Sequence, residues 1–218
     1  MVTSKFLLGF GTAIALGLGA IACAPTAPAG PEPIDSPPGA SSPSPVATTA
    51  GDRPSTQTVK DPWTQQDVTL KLFEQPGVPM TTYYAEETFE VRATSAGEGT
   101  SIQFSGQGPE NAYVQIYVPR ENSSVAEMEE RVSGANGLVE TNGWNVTSTN
   151  GPRAYPWVQQ RVDFEADYND QQNFMGTVYV GEMNGQAFTA TVHYPADAGD
   201  GFAPQAGQIL ENLQVSPR

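Results

Sequence analysis

Cysteine is almost absent: Cys23 is the only one in 218 residues. A single thiol allows no internal disulfide, no cysteine-based zinc site and no redox pair. Histidine is as scarce, with His193 alone, and zinc sites without cysteine generally draw on two or three histidines beside a carboxylate. Positive charge is also short: ten Lys and Arg stand against 24 Asp and Glu, for a net charge of −14. Phosphate backbones and anionic headgroups repel such a chain. That argues against nucleic-acid binding and leaves membrane contact to a lipid rather than to a basic face. No Gly-x-Ser-x-Gly elbow is present to give His193 a nucleophile. Gly97/Gly99 and Gly106/Gly108 flank a short strand and lack the third glycine of a dinucleotide fingerprint, so they read as turns.

What the chain does have begins with an address. One basic residue, Lys5, precedes an uncharged run from Phe6 to Ala22 rich in Leu, Gly and Ala. A basic start, a short apolar run and small residues before a cut are the parts of a secretory signal. The run ends Gly19-Ala20-Ile21-Ala22-Cys23, and the cysteine directly after small residues resembles the lipobox of bacterial lipoproteins. That resemblance implies removal of residues 1–22, a diacylglyceryl group on the Cys23 thiol, and acylation of the new amine with palmitate-type chains. Ala20 stands where the family prefers Leu. Loss of Lys5 takes the net charge from −14 to −15. Each buried CH₂ adds ~0.8 kcal/mol, and two or three chains make a durable anchor.

Residues 23–60 read as the lipidated cysteine and a disordered Pro/Ala/Ser-rich linker. Pro37-Pro38 and Ser42-Pro-Ser-Pro45 favour extended, solvated backbone. Ile34 and Val46 are nearly its only large apolar side chains, too few to order it. No basic residue flanks its Pro-x-x-Pro spacings, which favours a plain spacer over a docking ligand.

Residues 61–218 read as one domain of ordinary size. Alternation places Ala112, Val114, Ile116 and Val118 on one face of a strand, with Tyr113, Gln115 and Tyr117 on the other. Val158, Val162 and Phe164 likewise oppose Trp157, Arg161 and Asp163. Asn184-Gly185 predicts a tight hairpin between 174–182 and 186–195. Shorter strands are expected at 88–94, 101–105 and 144–149. Ser124-x-x-Glu127 is a capping box for a helix carrying Val125, Met128 and Val132, ending at Gly134. A closing helix from about Gly201 carries Phe202, Ala206, Ile209, Leu210 and Leu213, with Asp200 as its cap and Pro204 in its first turn. The expectation is an α+β domain with a central antiparallel sheet flanked by helices. Met80-Thr-Thr-Tyr83-Tyr84, Glu87-Thr-Phe89, Thr191-Val-His-Tyr194-Pro and Ile209-Leu210-Glu-Asn-Leu213 resemble, in element order, the Mog1/PsbP-like α/β/α sandwich. That family implies a binding or assembly role and supplies no position-specific residue here.

The polar residues point to no particular reaction. Glu86, Glu87, Asp163, Glu165, Asp167 and Asp170 could supply the paired carboxylates of a hydrolase acting on cell-wall material or glycans. Asp197-x-x-Asp200-Gly201 and Asp167-x-Asn169-Asp170 resemble fragments of calcium loops, without the EF-hand's spacing. His193 reads as a strand residue on a polar face beside Thr189 and Thr191. Tyr113, Tyr117, Trp157 and Tyr179 lie opposite the aliphatic faces of their strands: either second-layer core or a patch for a protein partner or glycan. The leading expectation is a non-enzymatic accessory lipoprotein without cofactor, binding an unknown protein partner. It would be held by its lipid to a membrane, facing the periplasm or a photosynthetic lumen. The alternatives are the hydrolase and a small-ligand or calcium binder. Intact mass of the protein from its native membrane should match residues 23–218 plus acyl chains, and Cys23→Ala should abolish the modification. An unmodified full-length mass would refute the lipoprotein reading.

Overall fold

The computed structural model describes residues 53–61, 64–169 and 172–217. The signal segment, Cys23, most of the linker, Trp63 and Asp170 lie outside them. The chain divides into two units, Met1–Pro45 and Val46–Arg218, and every described residue belongs to the second. In chain order its elements are β1 (Thr56–Lys60), β2 (Asp67–Phe73), β3 (Met80–Tyr84), β4 (Phe89–Ala96), β5 (Gly99–Gly106), β6 (Tyr113–Pro119), α1 (Val125–Ser133) and the single turn α2 (Leu138–Thr141). There follow β7 (Asn145–Ser148), β8 (Val158–Asn169), β9 (Gln172–Met183), β10 (Gln186–Pro195), α3 (Gly199–Glu211) and β11 (Gln214–Val215).

These strands build two antiparallel sheets, β1-β2-β3-β11 and β4-β5-β6-β10-β9-β8-β7. The expected single sheet flanked by helices is therefore corrected: the domain is mostly β. The reason lies in residues 56–84. β1 falls inside the stretch assigned to the linker, and its Thr-x-Thr-Val run is β-branched. It pairs with β2 from Thr56↔Lys71 to Lys60↔Asp67. A second sheet thus fills the layer where the α/β/α resemblance calls for helices, and on that side only α3 remains.

The main core lies between the sheets. Phe89, Ile102, Phe104, Val114, Ile116, Val118, Phe188 and Ala190 project from the large sheet and meet Met80 and Tyr84 of β3 and Phe202, Ile209 and Leu210 of α3. Full burial of such side chains is worth ~1.5–3 kcal/mol each. Thr82 anchors α3 to β3 by donating its hydroxyl to the Ile209 carbonyl. On the large sheet's outer face, Val162, Phe164, Val178, Val180 and Ala187 form a second core with Met128 and Val132 of α1. A satellite cluster of Leu70, Tyr83 and Ala85 fills the other side of the small sheet.

Three local expectations are also corrected. Val158 does not share a face with Val162 and Phe164. A β-bulge between Val158 and Gln160, which pair with Gly181 and Val180, turns Val158 inward beside Trp157. Asp200 does not cap α3: the helix begins two residues earlier, after a 3₁₀ turn at Ala196–Ala198, with Ala198 at the cap. Pro204 accordingly lies inside the helix rather than in its first turn. The capping box of α1 is present as expected, with Ser124 and Glu127 satisfying each other's backbone N–H groups.

Gly181 shows how closely the inner face packs. A Cβ there would stand 2.4 Å from Trp157 Cε3 and 2.8 Å from the Trp157 carbonyl. Gly181→Ala should destabilise the domain by ~1–3 kcal/mol through this overpacking. Gly108→Ala, which meets nothing within 4 Å, should change stability by less than ~0.5 kcal/mol. Denaturant midpoints for the two variants check the contrast.

Candidate functional site

The outer face of the large sheet is divided. Over β8–β10 it is apolar and α1 lies across it. Over β4–β6 it is polar. Antiparallel register aligns Ser101, Gln103 and Ser105 of β5 with Tyr117, Gln115 and Tyr113 of β6, and these with Thr189, Thr191 and His193 of β10. The small polar side chains bond laterally. Gln115 Nε2 donates to Ser101 Oγ at 2.9 Å, and Gln103 Nε2 to Ser105 Oγ at 3.1 Å.

The α1–α2 arm overhangs the boundary between the two halves and borders an open cavity of about 740 Å³ lined by Ser101, Gln115, Tyr117, Glu130, Arg131 and Leu138, among others. Met128 and Val132 face the core, so Arg131 sits at the helix flank and reaches over the sheet. Its guanidinium lies 4.4 Å from the Tyr117 ring centre and donates to Glu98 Oε2 at 3.1 Å. A smaller cavity of about 350 Å³, reaching Gly97, Glu98 and Arg120, shares Tyr117 and Arg131. The Arg131–Tyr117 stack therefore divides a longer groove. At the start of α1, hydrogen bonds from the Ser124 backbone and hydroxyl hold the Glu127 carboxyl below its ordinary value.

His193 stands deeper, packed between parallel rings: Tyr113 at 4.9 Å and Phe174 at 4.8 Å. Trp144 stacks on Phe164 at 3.9 Å beside it. His193 Nδ1 lies 2.9 Å from the Asn111 carbonyl, which sets the neutral tautomer with the proton on Nδ1. Burial pushes the imidazole below its ordinary pKa, partly opposed by that hydrogen bond; burial alone pushes the Tyr113 phenol up.

The four aromatics singled out in the sequence do not form one patch. Tyr113 and Tyr117 lie half-buried on the outer face. Trp157 and Tyr179 are buried in the main core on the opposite side. Trp157 Nε1 there reaches the Leu210 carbonyl at 3.4 Å, and its ring stacks on Tyr155 at 5.2 Å. Arg131, Glu98 and Ser101 were missed, and only the Tyr-x-Gln-x-Tyr alternation of β6 hinted at this surface. Of the carboxylates considered for hydrolysis, Asp163 is held by Arg161 Nε at 2.8 Å and Thr177 Oγ1 at 2.6 Å, and Glu86 by Lys71. Among the described residues, no three His, Cys, Asp or Glu side chains converge into a metal-binding set. Cys23 lies outside the described residues.

No family model and no curated protein matches the chain. Among solved structures, a 1.50 Å crystal structure of a protein from Bacteroides thetaiotaomicron VPI-5482 superposes with a TM-score of 0.42 and 14% sequence identity, over 67% of this chain and 48% of that one. The match thus spans about half of that protein's length, and a likeness this distant carries no argument about function.

The buried histidine makes stability depend on pH. Its native pKa is below 6.5, so below that pH the unfolded chain binds the proton more readily than the native one. The stability it contributes is complete above about 6.5 and is lost as pH falls through the depressed native value. The stability lost between about pH 7.5 and about pH 5 should be smaller in His193→Phe than in the unaltered protein. An equal loss in both would refute this role.

Proposed function

We propose that this protein is a lipid-anchored, non-enzymatic binding lipoprotein. In this reading the groove beneath the α1–α2 arm captures a segment of a protein partner on the outer side of a membrane, in a periplasmic or lumenal compartment. The observation that carries the reading is the 740 Å³ cavity where a helix flank meets a hydroxyl- and amide-bearing sheet. Cavities of ~300–1,000 Å³ are the usual size for specific ligand sites. Tyr117 and Arg131 at its divide are of the types enriched among binding hot spots, and Ser101 and Gln115 offer donors and acceptors to an extended polar segment.

The lipid supplies the address in this account. Among the described residues no helix is long and apolar enough to cross a membrane, and Cys23 follows a signal-like run.

A photo-crosslinker at Asn136, in the cavity lining, tests the proposal in the native membrane. It should yield one defined adduct, and Tyr117→Ala or Arg131→Ala should reduce that adduct at least about tenfold, as loss of a hot-spot contact does. A crosslinker at the exposed Thr94 should not yield it. An adduct insensitive to both substitutions, or none at all, would overturn the assignment of the groove.

A further inference from the structure

Among the described residues the two sheets end in four edge strands, β1, β11, β4 and β7. Three of them are guarded. β7 is four residues long and its register shifts between Val146 and Ser148. β11 is two residues long and leads into Pro217. β1 starts two residues after Pro54 and ends on the charged Lys60. Short strands, bulges, prolines and lysines are the usual protection of a sheet edge against further pairing. β4 has none of these. Its eight residues include no Pro, Gly or Lys, and they pair with β5 in unbroken register from Phe89↔Gly106 to Ala96↔Gly99.

That pairing leaves one set of β4 backbone groups open. The Gln107 N–H donates to the Thr88 carbonyl at 2.8 Å. Bonded and non-bonded pairs alternate along an antiparallel ladder. Glu90, Arg92 and Thr94 therefore bond to β5, while Val91, Ala93 and Ser95 turn their N–H and C=O groups away from it. The far side of β5 agrees. The Gly106 N–H donates to the Ala112 carbonyl at 2.8 Å and the Arg120 N–H to the Glu98 carbonyl at 2.6 Å, so the even-numbered residues of β5 bond to β6 and the odd-numbered ones to β4. Among the described residues, nothing bonds the outward N–H and C=O groups of Val91, Ala93 and Ser95. The Phe89 N–H points the same way but is taken by the Ala85 carbonyl at 3.0 Å, so the open row begins at the Phe89 carbonyl.

The side chains select the strand that would fit. Glu90 and Arg92 are exposed on the outer face, only loosely paired with each other at 3.8 Å. Charges of one sign on an edge repel a second copy, but this edge carries one of each. Consider two β4 strands placed antiparallel about a two-fold axis at Val91. Val91 then faces Val91 of the second copy, Ala93 faces Phe89, and Glu90 of each copy faces Arg92 of the other. In the new ladder Glu90 and Arg92 form a non-bonded pair, the type in which opposed side chains come closest. The strand is thus complementary to itself in charge, as an isologous two-fold contact requires. The chain's negative charge opposes association at long range, but salt screens that field beyond ~8 Å.

We infer that β4 is a self-association edge: two copies of this chain join β4 to β4, antiparallel about Val91, so that their seven-stranded sheets become one continuous sheet. Residues opposed in an antiparallel pair project to the same side, so both α1–α2 arms would stand on one face of it, whatever their grooves bind.

Sedimentation equilibrium of the full-length protein in density-matched detergent tests this. The unaltered protein should be dimeric at about 0.1 mM, as a micromolar dissociation constant requires. Glu90→Arg and Arg92→Glu should each weaken self-association at least about tenfold, because each sets four like charges across the seam. An equimolar mixture of the two variants should recover dimers, since every reversed charge then faces its opposite. That recovery distinguishes lost pairing from lost folding. In the native membrane, a photo-crosslinker at Thr94 should join two copies of the chain. A monomer at every concentration, a dimer that neither reversal weakens, or a mixture that stays monomeric would overturn the assignment. So would a Thr94 adduct to a different protein, which would give the edge to a foreign strand.

Discussion

The register of β10 is the constraint on which the rest depends. β10 is buried along nearly its whole length and pairs with β9 on one side and β6 on the other. Ala187, Thr189, Thr191 and His193 point to the outer face, while Phe188, Ala190 and Val192 point into the main core. A slip of one residue would exchange the two sets, placing Phe188 beneath α1 and His193 against α3. The Asn184-Gly185 turn prevents this. Both residues hold positive φ, 54° and 76°, the geometry whose twist matches the flanking strands. Asn184 Nδ2 then ties the turn to the Val215 carbonyl of β11 at 2.8 Å, so the hairpin also fixes the last strand of the small sheet.

From that register follows the division of the outer face. A helix with its side chains is ~10–12 Å wide, and strands stand ~4.8 Å apart. One helix therefore covers about two strands, and α1 covers β9 and β10. The β4–β6 half of a seven-stranded sheet is left to solvent on this side, and its sequence complies: Glu90, Arg92 and Thr94 on β4, Ser101, Gln103 and Ser105 on β5. A groove arises where the covered half ends. Its position is a consequence of helix width and sheet width, and its chemistry is that of the residues needed to keep an uncovered sheet face wet. Arg131 joins the two halves by laying its guanidinium on Tyr117.

How much of this could be read from the chain is uneven, for physical reasons. Elements with strong local determinants were legible: the capping box at Ser124, the Asn-Gly hairpin and the alternation of β6 each carry their signal within a few residues. The second sheet was not. β1 is five residues long, begins two residues after Pro54 and follows a Pro-rich stretch, so composition hid it in the linker. The bulge before Gln160 was also hidden, since a single extra residue changes which face Val158 occupies without altering the pattern around it. For the candidate sites the difficulty was greater. Tyr117 was visible as an aromatic opposite an aliphatic face, but its partner Arg131 arrives from a helix whose placement is a tertiary fact.

The outer groove and a second cavity beside α3 differ in position more than in the sign of their charge. The chain's charge of −14 sets a broad field that draws cations toward the whole surface, but salt screens it beyond ~8 Å at physiological ionic strength. Selection must then come from charges inside a cavity. In the outer groove Arg131 and Glu98 pair at 3.1 Å, while Glu127 and Glu130 add carboxylates to a lining of hydroxyls, amides and the Tyr117 ring. The cavity beside α3 is lined by Asp61, Asp67, Glu86 and Glu87 with Lys71. The two linings lie apart because the first is built on the outer face of β5 and β6 beside α1, and the second on β1, β2 and the flank of α3.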